Sequence, residues 1–230
     1  GKTDAARGAI FTKIGRELAV AAKSNPNPDT NSKLADVIAK AKAANMPNDN
    51  IKRSIAKAAG ELSGKDYKEL TYEGYGVAGS AVIITTLTDN VNRTSGDISS
   101  TMSKCGGQMG KPGCVSYQFD NKGLIVIERT VKLDEDTMME YCLEAEAEDY
   151  SVEEDVYEVY TTPEKFSEVR KYFEDKGVTF LEAEIKMLPQ NYITLPEDKV
   201  ATFRKMLDKL DELDDVQNVY HNVELPEEDE

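Results

Sequence analysis

The sequence predicts an α+β multidomain protein, in which an N-terminal three-helix bundle precedes two ferredoxin-like α/β sandwich modules, one inserted in the other. Its 230 residues exceed one domain of ordinary size. Apolar residues recur at helical spacing through residues 1–60, whereas helix and strand patterns alternate after residue 80. Hydrophobic residues make up 40% and charged residues 31%, which is typical of a globular chain and not of a disordered one.

Three short amphipathic helices are predicted in residues 1–60. Their apolar stripes are Ile10, Ile14 and Leu18, then Leu34, Val37, Ile38 and Ala41, and then Ile51 and Ile55. Prolines at 26, 28 and 47 separate the helices, and Gly60 ends the third. Because none of these helices can bury its apolar face alone, they are expected to close into a small bundle.

The order of the later elements predicts two nested modules. Residues 80–130 read as β-α-β-β, with a hairpin of 115–119 and 124–129 turning at Asn121-Lys122-Gly123. Residues 131–190 read as α-β-β-α-β, and residues 196–224 as α-β. Because the first module lacks a final α-β, the last segment is expected to complete it. The predicted domains are therefore 1–66, 67–130 together with 191–230, and the inserted 131–190, with 61–70 as a linker.

Charge is strongly segregated along the chain, whose formal net charge is −15. Residues 1–60 hold 11 Lys and Arg against 5 Asp and Glu, and residues 131–230 hold 10 against 30. Phosphates respond to the local potential within about 8 Å at physiological salt. A basic domain about 30 Å, or one domain's width, from the acidic region would therefore still bind nucleic acid. The alternative is a solvated helical surface that happens to be rich in lysine.

The basic residues of the N-terminal helices avoid the apolar stripes and are the candidate contacts for nucleic acid. A glycine-rich loop at 106–113, which would let a phosphate backbone approach closely, adds three more candidates. The predicted nucleic-acid-binding residues are Arg7, Lys13, Arg16, Lys23, Lys33, Lys40, Lys42, Lys52, Arg53, Lys57, Arg93, Lys104 and Lys111.

Other motifs point away from enzymes, cofactors and membranes. Residues 74–79 match GxGxxG but precede a predicted strand and open no helix, so no dinucleotide cofactor is expected. Cys105, Cys114 and Cys142 show no metal-ligand spacing, and His221 is remote from them in sequence, so neither a metal site nor a catalytic residue is predicted. The sequence contains neither a long apolar run nor a visible signal peptide, so a cytoplasmic protein without a membrane partner is expected.

Several short runs resemble one known family, the YebC-type proteins. In the N-terminal part they are Asp4-Ala5-Ala6-Arg7-Gly8, Ile10-Phe11-Thr12-Lys13 with Arg16-Glu17, and Ala41-Lys42-Ala43-Ala44-Asn45-Met46-Pro47 with Asp49-Asn50-Ile51. In the middle they are Tyr72-Glu73-Gly74-Tyr75-Gly76, Asp89-Asn90 with Asn92-Arg93-Thr94, and Ser103-Lys104-Cys105-Gly106-Gly107. Toward the end they are Ala147-Glu148-Asp149 and Asp215-Val216-Gln217-Asn218-Val219-Tyr220-His221-Asn222.

The resemblance implies a three-domain, non-enzymatic, cytosolic protein that regulates transcription by binding DNA. Some relatives act in translation instead, so a ribosome-associated factor that binds ribosomal RNA and relieves stalling or activates translation is the first alternative. A second alternative comes from the charge pattern itself: the acidic region would make the protein an adaptor that docks a basic protein partner.

Overall fold

The computed structural model describes residues 4–60 and 66–228, so residues 61–65 of the predicted linker lie outside the described part. The helices are α1 (Asp4–Ala22), α2 (Ser32–Ala43), α3 (Asn48–Gly60), α4 (Val91–Lys104), α5 (Glu135–Ala145), α6 (Phe166–Asp175) and α7 (Glu197–Asp211). The strands are β1 (Lys68–Tyr75), β2 (Ala81–Thr88), β3 (Gln108–Met109), β4 (Phe119–Glu128), β5 (Asp149–Val152), β6 (Val156–Thr161), β7 (Glu182–Pro189) and β8 (Val216–His221). The predicted α+β fold class is confirmed.

Helices α1, α2 and α3 form the predicted three-helix bundle. Ile14 and Leu18 of α1, Leu34 of α2 and Ile51 of α3 are all buried in its core. The side chain of Asn31 begins α2 by accepting a 3.2 Å hydrogen bond from the backbone N–H of Leu34, which satisfies one of the free amides at the helix start. The apolar stripes of the sequence therefore identified the bundle correctly.

One four-stranded sheet has the order β3-β1-β2-β8. Its central strand β2 pairs antiparallel with β1 and with β8, which is more than 100 residues later in the chain. Ile98 of α4 and Phe203 and Leu210 of α7 pack against Val82 and Ile84 of β2 in its core. The last α-β segment thus completes this module, as the element order predicted.

Strand β1 was not predicted, because residues 61–70 read as a linker and residues 74–79 as a loop. Lys68–Tyr75 nevertheless pairs with β2 over its whole length. Within β1 only Glu73 and Gly74 are fully buried, so the strand lacks the alternating apolar side chains by which strands are recognised in a sequence.

The second sheet has the order β5-β6-β4-β7 and carries α5 and α6. Its chain order, β-α-β-β-α-β, is that of a ferredoxin-like sandwich. The hairpin predicted around Asn121-Lys122-Gly123 is wrong, since these residues lie inside the single strand β4. Residues 116–118 form a short 3-10 helix instead of a first hairpin strand. Strand β4 is therefore the first strand of the second sheet and not the last of the first module.

The residues that the structure describes group by proximity into two compact units, one within 1–64 and 121–186 and the other within 65–120 and 187–230. The first unit holds the helical bundle and the β5-β6-β4-β7 sheet. The second holds the β3-β1-β2-β8 sheet with α4 and α7. The three domain boundaries derived from the sequence stay a prediction.

Candidate nucleic-acid interface

The outer face of α3 carries the densest group of exposed basic side chains on the bundle. Lys52, Arg53 and Lys57 are all exposed, and at about 100° per residue they span an arc of about 140° on the helix. Asp49, in the first turn, is the one acidic residue of α3. The opposite side of α3 is buried through Ile51, so the basic arc faces solvent.

The packing of α3 on α1 fixes the direction of this basic face. Gly15 of α1 lies so close to α3 that a Cβ atom there would be 3.3 Å from the Ser54 Oγ. Ser54 Oγ in turn donates a 3.0 Å hydrogen bond to the Asn50 carbonyl, one turn earlier. Arg53 donates a 2.9 Å hydrogen bond to the Asn50 side chain, which holds its guanidinium group near the start of the helix. Glycine at this position therefore allows the close approach of α1 and α3, and the three basic residues lie on the exposed side of α3.

The basic residues of α1 and α2 are more dispersed. Arg7 on α1, and Lys33 and Lys42 on α2, are exposed and make no ion pair within residues 4–60 and 66–228. Lys33 and Lys42 are nine positions apart, which places them on opposite sides of α2, about 180° from each other. Lys13 and Arg16 of α1 are half-buried, and Lys23 is exposed just beyond its end.

Lys40 forms ion pairs within the protein and is not a surface residue available to nucleic acid. Its Nζ lies 3.1 Å from a carboxylate oxygen of Glu17 on α1 and 3.4 Å from one of Glu184 on β7. Burial lowers the pKa of Lys40, but the two carboxylates more than offset this and leave the pKa above its usual value. The positive charge of Lys40 thus joins the bundle to the second sheet and is not available to a phosphate.

Helix α2 also contacts α6 of the acidic module directly. Asp36 accepts a 2.8 Å hydrogen bond from Arg170 Nε and a 2.6 Å hydrogen bond from Ser167 Oγ. Ala39 is buried in the same core as Phe173 and Val169 of α6. The separation of basic and acidic regions by a domain's width, assumed from the sequence, is therefore wrong for α2. The α3 face, built on a helix that packs chiefly on α1 and also on α2, is the better candidate interface.

Of the remaining candidates, Arg93 is largely committed to partners within the protein. Its guanidinium group donates to both carboxylate oxygens of Asp215, at 2.9–3.1 Å, and to Asp89 at 2.9 Å. These hydrogen bonds hold the pKa of Arg93 above its usual value. Lys104, in the last turn of α4, and Lys111, in the glycine-rich loop, are both exposed.

The sequence did not reveal the role of Glu73 in shaping the glycine-rich loop. Its buried carboxylate accepts hydrogen bonds from the backbone N–H groups of Gly113 at 2.6 Å, Ser116 at 2.7 Å and Val115 at 3.2 Å. Burial raises the pKa of Glu73, but these backbone donors outweigh burial and leave the pKa below its ordinary value. Glu73 belongs to one of the motifs shared with the YebC-type proteins, but nothing in its position along the chain indicates a partner 40 residues away.

The GxGxxG match at 74–79 spans the end of β1 and a 3-10 turn that leads into β2. Glycine is needed at position 74, because the Cβ atom of any other residue would be 2.6 Å from the backbone oxygen of Gln108 on the neighbouring strand β3.

In residues 4–60 and 66–228, no three His, Cys, Asp or Glu side chains come together in a way that would hold a metal ion. No helix of that part is both long and apolar enough to cross a membrane.

Comparisons with known proteins cover nearly the whole chain. Residues 1–61 match the TACO1/YebC protein N-terminal domain, and residues 67–223 match the TACO1/YebC second and third domain. A protein of Clostridium tetani named "Probable transcriptional regulatory protein" is 54% identical over 99% of this chain and 93% of its own length. A protein of the same name from Clostridium botulinum (strain Okra) is 56% identical over the same shares.

A solved structure agrees with the fold as well. The crystal structure of a conserved hypothetical protein, Aq1575 from Aquifex aeolicus, superposes with a TM-score of 0.82 at 42% identity, and the match covers 99% of this chain and 94% of that one. With both family models matched in order and relatives more than half identical, the chain belongs to the TACO1/YebC family.

Proposed function

We propose that this protein is a non-enzymatic, cytoplasmic regulator of transcription that binds DNA through the outer face of α3. The observation that carries the proposal is the group of three exposed basic side chains, Lys52, Arg53 and Lys57, on one arc of one helix. The names of the relatives, which describe probable transcriptional regulatory proteins, support it.

The physical basis is the release of counterions from the phosphate backbone. Each phosphate neutralised by Lys or Arg changes the slope of log affinity against log salt concentration by about −0.9 on duplex DNA. The basic side chains of α3 alone make a small footprint, so Arg7 and Lys42 are proposed as additional contacts on the flanking helices. Such backbone contacts position a protein on the duplex but do not read its sequence.

The test replaces Arg53 and Lys57 with Glu and measures duplex DNA binding by fluorescence anisotropy between 50 and 200 mM salt, a range of about fourfold chosen to resolve the slope. We expect weaker binding and a salt slope shallower by about two units, one for each basic side chain replaced. The matched control is Lys171→Glu with Lys205→Glu, two exposed lysines of α6 and α7 that carry the same change of charge. If affinity and slope stay unchanged in the α3 variant, this face does not bind DNA.

The same variants separate DNA from ribosomal RNA as the target. Ribosome co-sedimentation is measured with and without excess duplex DNA. If duplex DNA fails to displace the protein from ribosomes, and the α3 variant loses ribosome binding but not duplex binding, the translation-factor alternative replaces the transcriptional one.

A second candidate function, docking of a basic protein partner, is favoured by the surface of α5. Met139 and Leu143 are exposed one turn apart on this helix, at 44% and 72%, and α5 contains no basic residue. Glu140 and Glu144 lie beside them. A Met139→Ser, Leu143→Ser variant that loses regulation in cells but keeps DNA affinity would support this function. Retention of regulation would exclude it.

A further inference from the structure

Three tyrosines are the exposed aromatic side chains of residues 4–60 and 66–228. Tyr117 is 69% exposed, Tyr192 60% and Tyr75 40%. All three belong to the same compact unit, the one formed by residues 65–120 and 187–230. Singly exposed rings are common, but several on connected segments of one unit form a candidate binding surface.

Hydrogen bonds tie the chain segments that carry the three tyrosines to residues 114–118, which follow the glycine-rich loop. The Tyr75 hydroxyl donates to the Cys114 carbonyl at 3.2 Å. Gln190 donates from its backbone N–H to the Gln118 carbonyl at 2.9 Å and from its side chain to the Tyr117 carbonyl at 3.1 Å. Tyr192 follows Gln190 by two residues, so the segments that carry all three rings are held against residues 114–118.

The end of the glycine-rich loop, residues 111–116, has a defined shape. Three backbone N–H groups of residues 113–116 converge on the Glu73 carboxylate, and Cys114 N–H donates to the Lys111 carbonyl at 3.0 Å to close a turn. Lys111, at the start of this turn, is exposed. Gly113 adopts a φ of 90°, which only glycine takes readily. The surface is therefore organised before any ligand binds, which reduces the entropic cost of binding.

We propose that Tyr75, Tyr117 and Tyr192, together with Lys111, form a stacking surface for unpaired nucleotides. This deepens the proposed nucleic-acid binding and rests on it, but it assigns a second contact, of a different kind, to the other compact unit. Aromatic rings stack on the faces of bases, which are accessible in single strands and covered in a duplex. Lys111 would meet a phosphate of the same strand. Asp120, which accepts a 3.2 Å hydrogen bond from Gln190 Nε2, is exposed on the same segment as Tyr117 and would repel additional phosphates.

The combination of tyrosines with a lysine favours nucleotides over a peptide. A proline-rich peptide would also fit exposed tyrosines, but it would offer no anion to the exposed lysine.

Stacking also differs from the α3 contact in its dependence on salt. Because stacking neutralises no phosphate, removal of a ring should lower the affinity without changing the salt slope.

The experiment measures anisotropy of a labelled 12-nucleotide single strand of mixed sequence, as RNA and as DNA, and of the matching duplex. We expect Tyr117→Ala and Tyr192→Ala each to weaken single-strand binding by about 5- to 150-fold, the usual effect of removing one stacked ring. Tyr117→Phe should retain affinity because it keeps the ring. The control is Leu181→Ala, an exposed apolar residue of the other unit, which should change nothing.

Each result decides between the two modes of binding. If the alanine variants bind the single strand as the wild type does, or if Tyr117→Phe loses as much affinity as Tyr117→Ala, stacking is excluded. If a proline-rich peptide displaces the single strand and binds more tightly, the surface is a peptide site instead. The Arg53→Glu, Lys57→Glu variant in the same assay keeps the hypotheses apart, because it should alter duplex binding and its salt slope whether or not the tyrosines stack.

Discussion

At the scale of single residues, Glu73 shows how a buried charge shapes a loop far from it in sequence. Its carboxylate replaces water with the N–H groups of Gly113, Val115 and Ser116. A carboxylate that accepts several backbone N–H groups is stabilised in its charged form, and this is the cause of the lowered pKa. The pKa of Glu73 is lower in the folded than in the unfolded protein. Glu73 therefore stabilises the fold fully at pH values above its unfolded pKa, and this contribution is lost as the pH falls through its folded pKa.

We therefore expect Glu73→Gln to lower the free energy of unfolding at pH 7, because an amide NH2 group would face backbone donors. The difference from the wild type should narrow as the pH falls below the ordinary glutamate pKa, about 4.3, and through the lower pKa of the folded Glu73 carboxylate. Urea unfolding at a series of pH values measures this. Glu69→Gln, an exposed position on the same strand, serves as the control. If the free energies of unfolding of Glu73→Gln and the wild type differed by the same amount at every pH, the charge of Glu73 would not be what holds the loop.

Lys40 and Arg93 illustrate what residue type alone leaves undetermined. Both looked like candidate phosphate contacts, as did Lys52 and Arg53. The structure pairs Lys40 with Glu17 and Glu184, and Arg93 chiefly with Asp215. Glu17, Glu184 and Asp215 lie far away along the sequence, and only the pairing of Arg93 with Asp89, four residues earlier, follows from local spacing.

At the scale of elements, strand β4 shows tertiary packing overriding a turn signal. Asn121-Lys122-Gly123 favours a hairpin turn. In the structure Gly123 instead lies opposite Thr161 of β6, and a Cβ atom there would collide with the Thr161 hydroxyl and come within 2.7 Å of the Phe166 ring. Glycine is required here for close approach and not for a turn, a distinction that depends on the neighbouring strand.

We expect Gly123→Ala to lower the free energy of unfolding by about 1–3 kcal/mol or more, because Thr161 and Phe166 are buried and have little room to move. Gly96→Ala is the matched substitution, in the exposed interior of α4, where an added Cβ meets nothing within 4 Å. It should stabilise the protein by about 0.5–1 kcal/mol through helix propensity. Equal effects of the two changes in urea unfolding would contradict the packing of β4 on β6.

At the scale of the whole molecule, the bundle and the acidic sheet share one compact unit. The link between them is partly ionic, since Arg170 is buried and bonds to Asp36 of α2 as well as to Glu174. Placing a buried guanidinium group at this junction is costly unless its hydrogen bonds are made. Helix α2 of the basic bundle is thus held by contacts with α6 of the acidic region.

We expect Asp36→Ala to destabilise this unit by about 1–3 kcal/mol, the usual effect of removing hydrogen bonds to a charged group. Thermal unfolding followed by circular dichroism measures the effect. Asp29→Ala, at an exposed position between α1 and α2, removes the same charge and should have little effect. A similar destabilisation in both variants would mean that total charge, and not the interaction with Arg170, determines the stability.

The sequence by itself determined the fold class, the three N-terminal helices and the return of the last α-β segment to the first sheet. These features depend on apolar periodicity and element order, which are local patterns that can be recognised in the sequence. Only the tertiary structure decided which sheet receives β4, that β1 is a strand, which basic residues are paired within the protein, and that three tyrosines remain exposed in one compact unit. Each of these depends on a partner distant in sequence, and whether a charge or a ring remains exposed is a property of the packed surface.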